Sequence, residues 1–204
     1  MNFLSRFIPI GSTARAGKDS LANILVTNLT KRGFNTVKRS LATPLKENCD
    51  EFLIEEFDIS AFTEDNKYKE LIRPILVGVG SVHRMLSDGQ YFTWKLSDWV
   101  RAQNPKPDFV IVPDLRYATY PNDELQWFTS HNSYIIDVER LDENGKLIPP
   151  ANRDEMINSQ IIKRAANEVL LWKSYGNQVT AEMQEIADRI TENILNHFNL
   201  VSVV

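Results

Sequence analysis

Apolar positions along this 204-residue chain fall into short runs and helical stripes that alternate with one another. Residues 3–10 form a mostly apolar run that ends in a glycine turn, which predicts a buried first strand. Over residues 18–32, Leu21, Ile24, Leu25 and Leu29 recur on one helical face, and Gly33 stands where a left-handed C-terminal residue belongs. Residues 35–39 are a short strand candidate. Residues 45–57, 68–80 and 94–103 carry helical patterns, with Pro74 bending or starting the second of them. The β-branched run 109–112, closed by Pro113, reads as a buried parallel strand, and 133–138 and 169–172 look similar. A long last helix is predicted over 180–198, its stripe formed by Met183, Ile186, Ala187, Ile190, Ile194 and Leu195. Such alternation predicts an α/β protein: a mostly parallel sheet covered by helices on both faces. Ligands on such sheets bind beyond the carboxyl ends of the strands. With no internal repeat and no low-complexity linker, residues 1–204 read as a single domain.

Composition narrows the class. Hydrophobic residues make up 43% and charged residues 25%, enough for a substantial core with a wet surface. No apolar run approaches a membrane span, and Ser5, Arg6 and Pro9 interrupt the first ten residues, so neither a membrane segment nor a signal peptide is expected. Cys49 is the single cysteine, which rules out an intrachain disulfide and suits a reducing cytoplasm. The net charge of −4 weighs against a protein whose main business is coating nucleic acid. His83, His131 and His197 show no metal-ligand spacing, and one cysteine cannot build a zinc site.

The most informative stretch is Gly11-Ser12-Thr13-Ala14-Arg15-Ala16-Gly17-Lys18-Asp19-Ser20, between the first strand and first helix. Small residues here let backbone N–H groups wrap a polyphosphate at a helix N-terminus. Ser12, Ala14, Arg15, Ala16, Gly17, Lys18, Asp19 and Ser20 are the expected nucleotide contacts. Lys18 would reach the β- and γ-phosphates of ATP, and a hydroxyl would hold Mg²⁺. Asp19 follows the lysine, so that hydroxyl is Ser20. Ser12 occupies the position where the plain phosphate-loop pattern has its first glycine. A lysine-any-hydroxyl ending is familiar from nucleoside monophosphate kinases, and no Asn-Lys-x-Asp motif of a GTPase is present.

Further segments complete a series: Ser40-Leu41-Ala42-Thr43-Pro44-Leu45-Lys46, Lys69-Glu70-Leu71-Ile72-Arg73-Pro74, Gly80-Ser81-Val82-His83-Arg84, Val112-Pro113-Asp114-Leu115-Arg116-Tyr117, Pro121-Asn122-Asp123-Glu124 and Asp137-Val138-Glu139-Arg140. With the phosphate loop, this series resembles the bacteriophage deoxynucleoside monophosphate kinases, relatives of adenylate kinase, over most of the chain. The resemblance implies a three-layer P-loop kinase fold with a five-stranded parallel sheet. It implies a helical acceptor-binding region over about residues 40–105 and a short lid after Arg140, over about 140–165. It also implies ATP and Mg²⁺. Ala118, Thr119 and Tyr120 intervene where the family runs directly into Pro-Asn-Glu.

Phosphoryl transfer spreads charge over the transferred oxygens, and the planar fork of arginine suits their recognition. Arg73 and Arg84 are candidates to clamp the acceptor phosphate, Arg116 to bridge donor and acceptor, and Arg140 and Arg153 to close over the γ-phosphate. For each of them the alternative is a surface charge or a structural ion pair. Asp114 ends an apolar strand, where it would hold the Mg²⁺ water shell, orient the acceptor or pair with Arg116. Pro44 and Leu45 would floor the acceptor pocket. Tyr91 and Phe92 are candidates to line it, whereas the spacing of Trp99 fits core. In this kinase group the loop before the last helix passes the adenine, which makes Gly176 and Asn177 donor-base candidates. The expected reaction is ATP-dependent phosphorylation of a deoxynucleoside monophosphate. The alternatives are a kinase acting on a modified base within phage DNA (of the 5-hydroxymethyluracil type), a dephospho-coenzyme A kinase, and a nucleotide-binding regulator without catalysis. A homodimer is left open.

Overall fold

The computed structural model describes residues 5–11, 13, 16–142, 144–150, 152–172 and 179–200. Ser12, Ala14, Arg15, Gly176 and Asn177 therefore lie outside the described residues. The strands are β1 (Arg6–Gly11), β2 (Thr36–Lys38), β3 (Phe109–Leu115), β4 (Ile136–Arg140) and β5 (Glu168–Trp172). They form one parallel sheet in the order β2-β3-β1-β4-β5. The helices are α1 (Lys18–Lys31), α2 (Thr43–Phe57), α3 (Asn66–Leu86), α4 (Tyr91–Ala102), α5 (Glu124–Ser130), α6 (Arg153–Ala165) and α7 (Ala181–His197). No described helix is long and apolar enough to cross a membrane.

Strand side chains alternate between faces, and here both faces are apolar, as a doubly covered parallel sheet requires. Ile8 and Ile10 of β1 with Phe109 and Ile111 of β3 face α1 and α7, meeting Leu21, Leu25, Ala187, Ile190 and Ile194. Phe7, Val110 and Val112 point the other way, toward Leu45, Leu53, Phe92, Leu96, Leu125, Phe128 and Ile162. The second layer thus carries α2 to α6, among them the three helices of residues 40–105.

Two prolines mark a slip between the central strands. Ile8 pairs with Ile111 and Pro9 with Val112, but Gly11 pairs with Leu115. One extra residue therefore enters β3 around Pro113 and Asp114. Proline has no N–H to give to a ladder, so it settles where the ladder is interrupted. The strand expected to stop before Pro113 instead passes through it and carries Asp114 to its end.

Other boundaries differ for similarly local reasons. The helix expected to end at Gly80 continues to Leu86, with Pro74 inside it. Gly80 is a packing residue: a Cβ there would stand 3.2 Å from Leu45 Cδ2 and 3.6 Å from Phe92 Cζ. Residues 124–130 and 153–165 are helices that hydrophobic spacing alone did not reveal. The second of these bears on the proposed lid over 140–165. Residues 153–165 pack into the core through buried Asn158 and Ile162, leaving only the connection between β4 and α6 outside regular helix. That connection carries one bridge, Leu141 to Leu147.

Candidate functional site

The carboxyl ends of β1, β3 and β4 converge at the start of α1. Gly17 caps that helix with φ 83°, a left-handed conformation that glycine adopts without penalty. Gly11 has a steric role instead: a Cβ there would lie 2.5 Å from Ile162 Cγ2, so α6 sits directly on the end of β1. Ala16 is buried in the turn. Lys18, the first residue of α1, is buried, and its ammonium donates to the carbonyl of Thr13 at 2.7 Å. Burial first, and the positive charge of Arg116 second, lower the lysine's pKa to about 8, against the pull of Asp114, Glu155 and Asp19. It remains mostly a cation at neutral pH.

Two cavities flank this lysine. The first, of about 470 Å³, lies on the β3 side and is lined by Asp19 of α1, Leu45 and Lys46 of α2, Lys69 and Arg73 of α3, and Arg116 and Glu124 beyond β3. The second, of about 410 Å³, lies on the β4 side. Thr13, Asp137, Arg140, Lys163 and the residues around Ile148 line it.

Asp114 holds the first cavity's entrance in shape. Its Oδ1 accepts the N–H of Leu41 at 2.8 Å, and its Oδ2 accepts the Ser40 hydroxyl at 2.5 Å and the N–H of Ala42 at 3.0 Å. Ala42 is the N-cap of α2 and has no side-chain acceptor of its own, so the aspartate supplies one from another element. Two residues on, Arg116 is exposed and lines the cavity. Its guanidinium has no hydrogen bond or ion pair among the described residues, while its backbone N–H donates to Glu124 Oε2 at 2.8 Å.

Glu124 was not singled out as a functional residue from the sequence. It is buried at the start of α5, lines the first cavity and also accepts the N–H of Tyr117 at 3.1 Å. Burial, with lesser contributions from Asp114 and Asp123, raises its carboxyl to about 8, although the two backbone donors pull the other way. Asp137, at the end of β4, is likewise buried; desolvation and then Glu139 raise it to about 7. Its Oδ1 has no hydrogen-bond partner among the described residues.

Arg84, expected at the acceptor phosphate, is held elsewhere. Its Nη2 donates to Asp123 at 2.7 and 3.0 Å and its Nε at 3.3 Å, with the aspartate fully buried. The guanidinium also stands over the rings of Tyr117 at 3.5 Å and Tyr120 at 4.8 Å. This pair secures the three-residue insertion. Asp123 Oδ2 accepts the N–H groups of Thr119 and Tyr120, at 3.0 and 2.9 Å, and Asn158 of α6 accepts that of Ala118 at 2.7 Å. Every N–H of the insertion is thus met by a side chain from α5 or its cap, or from α6.

The remaining candidates divide. Leu45 and Phe92 line the first cavity, and so does Arg73, which also bonds Glu70 at 3.1 Å. Pro44 is buried in the first turn of α2 without lining it. Tyr91 stacks on His83 at 3.9 Å, and Trp99 lies under Arg39. Arg140 lines the second cavity, whereas Arg153, exposed at the start of α6, lines neither.

Two outcomes are expected. Arg84→Ala leaves a buried Asp123 without its counter-charge, and breaking such a pair costs about 3–5 kcal/mol. Urea denaturation should show the loss; an unchanged midpoint would take structural weight away from this pair. Glu124 keeps its proton in the folded chain to about pH 8, whereas the unfolded chain loses it near 4.5. The folded state thus binds more protons across that window, and its stability falls as pH rises from 4.5 to 8. Glu124→Gln removes this contribution and still offers an acceptor to both backbone donors. The thermal midpoint of the wild type should therefore drop relative to the variant between those pH values; a constant difference refutes the assignment.

No protein-family model matches the chain, and no curated protein matches it. Solved structures that it resembles include TT1252 from Thermus thermophilus, at 13% identity over 93% of this chain and 97% of that one, with a TM-score of 0.43. Another is a protein from Borrelia burgdorferi named for plasmid partition and bound to AMPPNP, at 17% identity over 96% and 98%, TM-score 0.42. A third is a shikimate kinase from Bacteroides thetaiotaomicron, at 10% identity over 94% and 98%, TM-score 0.39. The P-loop kinase fold is accordingly read from the strand order and from the strand–loop–helix at its centre.

Proposed function

We propose that this protein transfers the γ-phosphoryl group of ATP to a deoxynucleoside monophosphate. The observation that carries the reading is Arg116: a cation without an ion pair among the described residues, lining a cavity beside the buried Lys18. Two such charges near each other are unfavourable until an anion joins them, and phosphate oxygens suit the fork of the arginine. The first cavity has a volume in the range of small-molecule sites. Lys46, Lys69, Arg73 and Arg116 offer charge to a monophosphate, while Leu45, Ile72, Leu76 and Phe92 offer an apolar wall to a base and a deoxyribose.

In this reading the acceptor occupies the first cavity and the donor reaches Lys18 from the side of the second. An acceptor phosphate oxygen forms the new bond to the γ-phosphorus as the bond to the β–γ bridging oxygen breaks, releasing ADP. Lys18 neutralises charge on the transferred group, Arg116 holds the two phosphates together, and Arg73 grips the acceptor. Arg140 lies on the donor side. Arg84 acts indirectly, by fixing the segment that follows Arg116.

Among the described residues no three acidic, histidine or cysteine side chains converge as a metal cluster. That suits magnesium, which keeps most of its waters and takes few protein ligands. Ser20 and Asp114 would hold it, the aspartate through the lone pair that Oδ1 retains beside its single bond to Leu41. Bound there, the ion would supply charge neutralisation between the phosphates.

Steady-state kinetics on Lys18→Ala and Arg116→Ala test the proposal, with all deoxynucleoside monophosphates, ribonucleotides and DNA oligonucleotides as acceptors. Lys18→Ala should abolish transfer while the chain stays folded. Arg116→Ala should reduce acceptor kcat/KM by roughly tenfold to a hundredfold, the loss of one charge-assisted bond, with ATP binding little changed. Normal turnover by folded Lys18→Ala would overturn the site. Activity confined to DNA, with a steep salt dependence, would overturn the free-nucleotide acceptor.

A further inference from the structure

Glu124 commits only one of its two oxygens to the fold. Its Oε2 accepts both backbone bonds, from Arg116 at 2.8 Å and Tyr117 at 3.1 Å. Oε1 has no hydrogen bond among the described residues, although the side chain is 2% exposed and lines the first cavity. A carboxyl this enclosed keeps its proton unless a cation stands beside it, and the charges that act on it work the other way. Asp114 on β3 and Asp123 at the cap of α5 both disfavour a carboxylate here. Arg84 of α3 is committed to Asp123, and Tyr117, whose phenol is pushed up by burial and then by Glu124, offers no counter-charge. Around the cavity wall stand Asp19 of α1, Lys46 of α2, Lys69 and Arg73 of α3, and Arg116, while α4 contributes only Phe92. In that setting burial raises the carboxyl of Glu124 to about 8.

With two N–H groups directed at Oε2, the proton belongs on Oε1. The chain thus holds an O–H donor at the wall of a cavity, with no acceptor for it among the described residues. Such a donor is costly until a ligand oxygen meets it. A phosphate oxygen is the acceptor that the surroundings favour. Glu124 bonds the N–H of Arg116 itself, so the acid and the guanidinium are mounted on one corner. An ionised carboxylate on that corner would repel a phosphate, whereas a neutral acid donates to it, and bonds to charged oxygens are the stronger ones. We propose that Glu124 donates a hydrogen bond from Oε1 to a phosphate oxygen of the acceptor, as the neutral companion of Arg116. This rests on the assignment of the first cavity to a phosphate-bearing acceptor.

The contact makes acceptor binding depend on pH. A phosphate monoester loses its second proton at about pH 6, so its own charge is settled above neutrality. The bound dianion favours protonated Glu124 and raises its pKa further, so affinity falls as pH climbs through the free-state value of about 8. Lys18 titrates in the same range, so the comparison needed is with Glu124→Gln. The amide of that variant accepts both backbone bonds and donates into the cavity at every pH.

Two measurements on the full chain test the contact. Carbon-13 NMR of the glutamate carboxyls follows Glu124, identified by its absence from Glu124→Gln, with and without inorganic phosphate or a deoxynucleoside monophosphate. Either probe at saturation should raise its apparent pKa by about one pH unit or more. Calorimetry without ATP should show the deoxynucleoside monophosphate Kd weakening between about pH 7 and 9.5 by roughly tenfold more in the wild type than in Glu124→Gln. A titration unmoved by both probes, or the same pH dependence in the two proteins, would overturn the contact. Inorganic phosphate raising Glu124 while no deoxynucleoside monophosphate is phosphorylated would support the contact and overturn the acceptor. Transfer to a deoxynucleoside monophosphate with Glu124 unmoved would do the reverse.

Discussion

The shape of the first cavity depends on how the end of β3 is held. A carboxylate there is an awkward neighbour for an apolar strand, and the chain meets that cost with donors from a distant loop. Asp114 accepts from Ser40, Leu41 and Ala42, so the turn into α2 and the end of β3 become one rigid corner. Glu124 pins the next two residues from the other side, through the N–H groups of Arg116 and Tyr117. Between these anchors the side chain of Arg116 lines the cavity and forms no ion pair among the described residues. The slip in the β1–β3 ladder at Pro9 and Pro113 sets the aim of the whole segment.

Charge is distributed around the corner with the same economy. Lys18 is desolvated yet stays cationic, balanced by acids at several distances. Glu124 is so enclosed that at neutral pH it is mostly a neutral acid that accepts backbone bonds without adding negative charge. The first cavity therefore presents more positive charge than a count of its acidic residues suggests. Asp137 in the second cavity is raised by burial to about 7 as well.

Local signals were legible in the sequence, and distant partnerships were not. The central strands β1 and β3 announced themselves as apolar runs because they are buried on both faces, whereas β2, short and half exposed at the edge, was legible only as a short candidate. The phosphate loop was legible because Gly17 and Lys18 stand between a strand and a helix. The pairing of Arg84 with Asp123 was not legible because the two lie 39 residues apart, and nothing in either neighbourhood says that they meet. Glu124 looked like an ordinary first-turn acid; only the packing of α5 reveals its burial. Helices α5 and α6 escaped detection because the first is short and the second buries few residues, Asn158 and Ile162 among them. The insertion of Ala118, Thr119 and Tyr120 was legible as a departure, but its anchoring by Asp123 and Asn158 was not.

The contact between Gly11 and Ile162 has a consequence for how sequences like this one can drift. The methyl of Ile162 fills the space that any side chain at position 11 would need. The two positions are therefore not free to change independently. A lineage that acquires alanine at position 11 must first, or at once, shorten the residue at 162, and a lineage that keeps isoleucine at 162 is held to glycine at 11. The entry to the phosphate loop thus inherits a restriction from a helix more than a hundred residues away, one unrelated to phosphate chemistry.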